Sequence, residues 1–146
     1  MSEADRQFFM GVDPGYSGAV AILCGEGKVV DIIRLDSTEH DVATAVAVLS
    51  RYIRMAYLEK VHAMPRQGVS STFKFGTRYG FCRALLVCHA IPFVEVTPAK
   101  WQGDMGCRSK GDKNVTKAAA QRLFPSQKVT HRNADALLIA EYGRQR

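Results

Sequence analysis

The sequence has 146 residues, a length suited to one domain with a single hydrophobic core, and we expect one domain over residues 1–146. Its 47% hydrophobic and 23% charged residues are typical of a soluble globular protein, and its apolar runs are too short to cross a bilayer. The net charge of +6 favours a polyanionic partner without choosing between nucleic acid, a ribosome and a membrane surface.

The N-terminus and the cysteines bear on the cellular compartment. Residues 1–7 are polar and include acids, which predicts neither a secretory signal nor a transit peptide. The four cysteines lack CxxC spacing, which argues against a zinc knuckle or a redox motif and fits a reducing cytosol. We therefore expect a cytoplasmic protein with no membrane partner.

The first predicted element is a β-hairpin with an acid at its turn. Apolar residues 8–10 and 19–24 flank a Pro/Gly-rich segment, residues 11–18, with the sequence GVDPGYSG. Asp13 ends the first strand, where a carboxylate is uncommon and costly to bury without a partner. That partner is either a metal ion or a local hydrogen bond of the turn, and the segment alone favours neither.

A third strand and a helix are predicted to follow. Residues 28–35 are rich in Val and Ile and complete an antiparallel meander. Residues 37–41 offer capping groups for a surface helix. One apolar face of that helix is predicted to contain Val42, Ala45, Val46, Leu49 and Ile53.

Residues 55–61 predict a central parallel strand with Glu59 at its carboxyl end. In open α/β sheets the functional crevice lies beyond such strand ends, so Asp13 and Glu59 are expected to be neighbours. The alternative is a strand-edge charge paired with Lys60 or an arginine. The apolar residues around Glu59 favour the functional interpretation.

The loop over residues 62–71 combines an aromatic ring, a cation, an amide and hydroxyl groups, a mixture suited to contacts with nucleic acid. The candidate DNA-binding residues here are His62, Arg66, Gln67 and Ser70. Ser70 or Ser71 is predicted to cap a long helix that ends near Ala90. Gly76 and Gly80 share one face of it, which predicts close packing on the sheet or against a second copy of the helix.

The last third of the chain combines cations with a third acid. A strand over Phe93–Val96 precedes residues 102–112, which predict an exposed, mobile loop, and a helix over residues 113–124. Candidate phosphate-binding residues are Arg108, Lys110, Lys113 and Lys117, although a solvated lysine face is the alternative. A final helix is predicted from His131 or Asn133 to Tyr142, with Asp135 near its start as a site residue or a simple dipole partner.

Three carboxylates that converge on one crevice repel one another unless divalent cations lie between them. Carboxylate oxygens suit Mg²⁺ or Mn²⁺, and two such ions can support phosphodiester hydrolysis.

The ordered set of motifs resembles the RuvC-type Holliday junction resolvases of the RNase H-like superfamily, in particular their short phage-type members. The likeness covers nearly the whole chain and is carried by GVDPG at 11–15 with SGA at 17–19, EKV at 59–61, QGVSS at 67–71, VTP at 96–98, GDK at 111–113 and ADAL at 134–137. It implies an α/β fold with a five-stranded mixed sheet, three antiparallel strands then parallel strands, flanked by helices. It also implies a homodimeric, Mg²⁺-dependent endonuclease that nicks four-way DNA junctions symmetrically.

Matched residue by residue, the resemblance implies that Asp13, Glu59 and Asp135 are the catalytic, metal-binding acids. It implies that Lys113 is a basic residue near the active site that contacts DNA phosphate. The glycine-bearing helix over residues 71–90 corresponds to the one at the family's dimer interface.

The chain departs from the family pattern at two positions. The fourth metal ligand is expected about one turn before Asp135, where Arg132 stands instead; His131 substitutes for it if it shares the helical face. His62 stands where bacterial relatives often have a phenylalanine that wedges into the junction. A histidine stacks on a base less strongly and with pH dependence.

Other functions stay open at this point. The same fold and metal chemistry would also serve replication forks, flaps or RNA-containing duplexes. Arg132 motivates a catalytically impaired junction-binding protein. The segment DPGYSG, residues 13–18, also resembles a phosphate loop of actin-like sugar kinases, although 146 residues are too few for that two-lobed fold.

Overall fold

The computed structural model describes residues 6–146, so most of the N-terminal segment considered above lies outside the described residues. The strands are β1 Phe8–Asp13, β2 Ala19–Leu23, β3 Val29–Arg34, β4 Ile53–Glu59 and β5 Phe93–Val96. The helices are α1 Glu39–Ser50, α2 Val69–Cys88, α3 Pro98–Asp104, α4 Lys113–Leu123 and α5 Ala134–Arg144. No helix within the described residues is long and apolar enough to span a membrane.

The strands form one mixed sheet in the order β3-β2-β1-β4-β5. The pairs β3/β2 and β2/β1 are antiparallel, as expected for a meander, whereas β1/β4 and β4/β5 are parallel. The five-stranded mixed sheet flanked by helices confirms the predicted fold class. Parallel pairing places the carboxyl ends of β1, β4 and β5 at the same edge of the sheet.

The two faces of the sheet carry separate hydrophobic cores. Alternate residues of β2 point to opposite faces: Ala19 and Ala21 contribute to one core, and Val20 and Ile22 to the other. Helices α1 and α2 cover the second face, and α3, α4 and α5 cover the first. Every residue of β2 is therefore buried, which explains why this strand reads as a continuous apolar run.

Several local predictions are wrong. Ile53 begins β4 and does not extend the α1 face, because the helix ends at Ser50. Residue 68, a glycine, occupies the N-cap of α2 without a side-chain bond, so neither Ser70 nor Ser71 caps it. A β-carbon built on Gly76 or Gly80 meets no described atom within 4 Å, so neither glycine packs closely on the sheet.

The predicted mobile loop over residues 102–112 is also partly wrong, because its start belongs to α3. Thr97 caps α3 by accepting a hydrogen bond from the Lys100 amide at 3.2 Å, and Pro98 occupies the first turn. Farther along, Cys107 is buried and its amide donates to the Gln102 carbonyl at 2.9 Å. The helix has seven residues, which is too short to show helical periodicity in the sequence.

Candidate active site

The carboxyl ends of β1 and β4 carry the first two predicted acids. Val12 is paired with Leu58 in the parallel register, so the next residues, Asp13 and Glu59, lie side by side at the edge of the sheet. The Asp13 carboxylate accepts a hydrogen bond from the Gly15 amide at 3.2 Å. This bond is the local turn interaction anticipated from the sequence, and it leaves most of the carboxylate's capacity for other partners.

Helix α5 brings the third acid to the same edge. A β-carbon on Gly11 would lie 2.3 Å from both the Ala136 carbonyl oxygen and the Ala140 amide nitrogen. Only glycine therefore permits α5 to cross β1 at this distance. Asp135 lies in the first turn of that helix, next to the contact, and so faces the strand ends.

The three acids line one open cleft of about 600 Å³, together with the predicted cations Arg108, Lys110 and Lys113. We call this the carboxylate cleft. Lys113 is the first residue of α4, and the preceding residue, Asp112, caps that helix by accepting from the Asn114 amide at 3.0 Å. The carboxylates at the base of the cleft suit a metal ion. The cations at its rim suit an anionic group of a ligand that also binds that metal.

Burial and repulsion between carboxylates raise the pKa values of the two strand acids, Asp13 and Glu59. Burial, and then the charge of Asp135, raise the pKa of Asp13 to about 6, although the Gly15 amide and Lys113 act in the opposite direction. Burial, and then the charge of Asp13, raise the pKa of Glu59 to about 8. These carboxyl groups need compensating positive charge to be ionised together at neutral pH.

Trp101 is a site residue that the sequence analysis missed. Its indole Nε1 donates a 2.7 Å hydrogen bond to Glu59 Oε2, and its ring is fully buried beneath α3. This bond orients the Glu59 carboxyl group and opposes the rise of its pKa. The sequence feature that could have indicated this role is that Trp101 is the chain's only tryptophan and follows shortly after a strand that ends at the crevice.

The other predicted DNA-binding residues lie outside the carboxylate cleft. His62, Arg66 and Ser70 are exposed on and after the β4–α2 loop. Gln67 is half-buried and lines a neighbouring cleft beside α2. Lys117 is half-buried one turn beyond Lys113 and does not line the carboxylate cleft within the part of the chain that is described. Their roles stay predictions.

Neither Arg132, at the expected position of the fourth metal ligand, nor His131, its candidate substitute, is among the described residues that line the carboxylate cleft. His131 is exposed, precedes α5 and is absent from the residues, among those described, that line the carboxylate cleft. The condition that it share the helical face of Asp135 is therefore not met. Arg132 Nη1 pairs with Asp36 Oδ2 at 3.1 Å, and Asp36 also accepts from Arg34 Nε at 3.0 Å.

Across residues 6–146, no group of three or more His, Cys, Asp or Glu side chains is arranged so that it could hold a metal ion. Asp13, Glu59 and Asp135 nevertheless influence one another electrostatically. Their carboxylate oxygens are the donors that Mg²⁺ and Mn²⁺ prefer, and their charges are otherwise poorly compensated. The donor chemistry thus fits a divalent cation, provided that the side chains move together to hold it.

Comparison with known proteins shows the fold. The Thermus thermophilus RuvC structure matches with a TM-score of 0.62 and 15% sequence identity over 92% of each chain. T. thermophilus RuvC in complex with a Holliday junction substrate matches with a TM-score of 0.65 and 15% identity, over 92% of this chain and 91% of that one. The chain therefore has the RNase H-like fold of these RuvC structures. No family model and no curated protein sequence matches it.

Proposed function

We propose that the chain is an endonuclease that resolves four-way (Holliday) DNA junctions by symmetric, Mg²⁺-dependent hydrolysis of phosphodiester bonds. One observation carries this proposal: acids from β1, β4 and α5 meet in a cleft whose rim is basic. The likeness of the fold to a RuvC that was solved with a junction substrate supports the choice of substrate. We also propose that the protein acts in the cytoplasm of a bacterial or phage-infected cell, which the likeness to a bacterial RuvC supports.

In this proposal the acids hold the metal and the cations hold the DNA. Asp13, Glu59 and Asp135 bind Mg²⁺, with Mn²⁺ as a substitute and two ions per site. Bound Mg²⁺ supplies the positive charge that activates a water and stabilises the leaving oxygen. Trp101 orients Glu59, since the indole bond restricts the rotation of its carboxyl group.

The basic residues contact phosphates and so position the scissile bond. Arg108, Lys110 and Lys113 act at the rim of the cleft, where Lys113 is close enough to lower the pKa of both strand acids. The flanking DNA reaches His62, Arg66, Gln67, Ser70 and Lys117. Binding should weaken steeply as the salt concentration rises, because phosphate contacts release counterions.

Symmetric nicking of two strands needs two active sites, so we propose a homodimer formed through α2. The exposed face of α2 has open space at Gly76 and Gly80, and Val69 and Val87 on the same helix are largely exposed. An apolar helix face with small residues at its centre permits close approach of a second copy.

The test is cleavage of a labelled four-way junction with Mg²⁺ or Mn²⁺, beside a linear duplex, a Y-fork and a flap. We expect paired, symmetric nicks on the junction. Asp13→Asn should abolish nicking and leave junction binding largely intact. Glu26→Gln is the matched control, since the Glu26 side chain is 80% exposed and its ion pair within the described residues is with Lys28. Full activity of Asp13→Asn would refute the mechanism, and preferential cleavage of the fork or flap would reassign the substrate.

A second function, junction binding without cleavage, is favoured by the absence of a preformed metal-holding group in residues 6–146 and by Arg132 at the expected ligand position. It predicts tight junction binding without nicks, even with Mn²⁺. Arg132→Asp should then switch cleavage on, which requires the new carboxylate to turn from the Asp36 side, where Arg132 is paired, towards the carboxylate cleft. Asp36→Asn is the necessary control. Both substitutions break the Arg132–Asp36 ion pair, but only Arg132→Asp adds a carboxylate at residue 132.

A further inference from the structure

A second cleft adjoins the carboxylate cleft and has a different chemical character. It has a volume of about 570 Å³, within the range of ~300–1,000 Å³ usual for small-molecule pockets. Its lining includes the aromatic rings of Tyr16, Phe73 and Phe75 and the cations Lys74 and Arg78. We call this set the aromatic cleft.

The two clefts meet at one side chain. Phe75 lines both of them, so a ligand can extend from one to the other without leaving the surface. The β1–β2 turn connects them as well: a β-carbon on Gly15 would lie 3.9 Å from Phe75 Cε2 and 3.4 Å from Asp13 Oδ1. A group bound in the aromatic cleft is therefore adjacent to a strand held at the acids.

Two of the three aromatic rings are presented to solvent, and the third, Phe75, is half-buried. Tyr16 is 69% exposed and Phe73 is 76% exposed. The Arg78 guanidinium lies 5.8 Å from the centre of the Tyr16 ring and also donates a hydrogen bond to the Leu35 carbonyl. Arg78 thus anchors the Tyr16 ring beside α2 with a cation–π contact.

We propose that the aromatic cleft binds an unstacked nucleobase of the strand that the carboxylate cleft cuts, which rests on the proposed nuclease function. Aromatic rings bind any base by stacking, and the cations suit the negative charge of the attached phosphate. Among the described residues that line the aromatic cleft, Glu39 is the acid, beside the two cations Lys74 and Arg78.

This assignment gives the protein a means of distinguishing branched DNA from a linear duplex. A base next to a branch point is already partly unstacked, so it enters the cleft at little cost. A base within a regular duplex must first be unpaired and unstacked. The aromatic cleft therefore selects for structure, independently of base sequence.

The test uses a four-way junction in which 2-aminopurine replaces single bases at successive positions around the crossover. The change in its fluorescence is measured on titration with wild type, Tyr16→Ala and Tyr16→Phe in Ca²⁺. We expect binding to alter the signal at one position for wild type and Tyr16→Phe, and Tyr16→Ala to remove it. Tyr16→Ala should also weaken junction binding about tenfold, with little effect on linear duplex. Since Tyr16 is largely exposed, its removal leaves the fold intact.

Three results would overturn the proposal. Equal 2-aminopurine signals and junction affinities for wild type and Tyr16→Ala would exclude stacking in this cleft, while junction cleavage by wild type would keep the nuclease function. Loss of self-association in Tyr16→Ala, seen by sedimentation, with unchanged DNA signals would assign the cleft to a second copy of the chain. Failure of wild type to bind any junction would reject the nuclease function and the aromatic cleft together.

Discussion

Glycines serve opposite purposes on the two sides of the sheet. At the contact of α5 with β1 a β-carbon on Gly11 would overlap backbone atoms of α5, and at the contact of α5 with β4 one on Gly143 would lie 2.1 Å from the Tyr57 ring. On α2 the same test at Gly76 and Gly80 finds open space. The first pair lets two elements of one chain approach closely, and the second pair leaves a helix face uncovered.

The difference teaches that the candidate site and the candidate interface have different structural requirements. The acids meet because α5 crosses β1 at minimal distance, so a single chain supplies all three acids of the cleft. Gly76 and Gly80 lower the stability of α2 relative to alanine, and no close contact with a described residue explains their presence there. Substitutions on the two sides should therefore act on different observables.

The largest effect is expected for Gly11→Ala. The added methyl group would meet the Ala136 carbonyl and the Ala140 amide, so α5 must move away from β1. We expect a loss of about 3 kcal/mol or more in the free energy of unfolding, measured by denaturant titration. Gly76→Ala is the matched control and should not destabilise. Equal stability of the two variants would contradict the close crossing of α5 and β1.

Trp101→Phe tests how the orientation of the Glu59 carboxyl group affects cleavage. It removes the 2.7 Å bond to Glu59 while keeping a buried aromatic ring. A hydrogen bond to an ionised group contributes about 2 kcal/mol, so we expect cleavage to slow at least tenfold. Because the bond lowers the pKa of Glu59, the pH–rate profile should also shift to higher pH. A slower enzyme with an unshifted profile would indicate a packing defect alone.

Glu59→Gln should change how stability depends on pH. The pKa of Glu59 is raised from 4.5 to about 8 in the folded state, so the folded chain holds its proton longer than the unfolded chain. Wild-type stability therefore falls as pH rises from about 5 to about 8, in metal-free buffer. The advantage of Glu59→Gln should grow over this window to about 3–5 kcal/mol, since each pKa unit corresponds to about 1.4 kcal/mol. Thermal unfolding at pH 5, 7 and 9 measures it, and a pH-independent difference would argue against a buried, ionising Glu59.

The smallest effect is expected for Gly80→Ala on the open face. In dilute solution the alanine should stabilise the helix by about 0.5–1 kcal/mol, because it restricts the unfolded chain and suits a helix. At high concentration it should weaken self-association, since the methyl group keeps a second helix at a distance. Thermal unfolding and sedimentation measure the two effects. Unchanged self-association would place the dimer interface elsewhere.

The sequence determined the chain order of the acids and the types of the described elements other than α3. Strand residues of β1, β2 and β4 form apolar runs bounded by turn residues, so Asp13 and Glu59 were placed at strand ends before any contact was known. Asp135 was likewise predicted near the start of the last helix, and α5 begins one residue before it, at Ala134. These features depend on short-range patterns, which a sequence displays directly.

Tertiary structure alone decided how the site is completed. Trp101 and Glu59 are 42 residues apart, and Arg132 and Asp36 are 96 residues apart, yet these contacts orient one site acid and direct the arginine away from the cleft. The aromatic cleft likewise joins the β1–β2 turn to α2. Such contacts leave no local periodicity, because they depend on which faces of distant elements the two hydrophobic cores bring together.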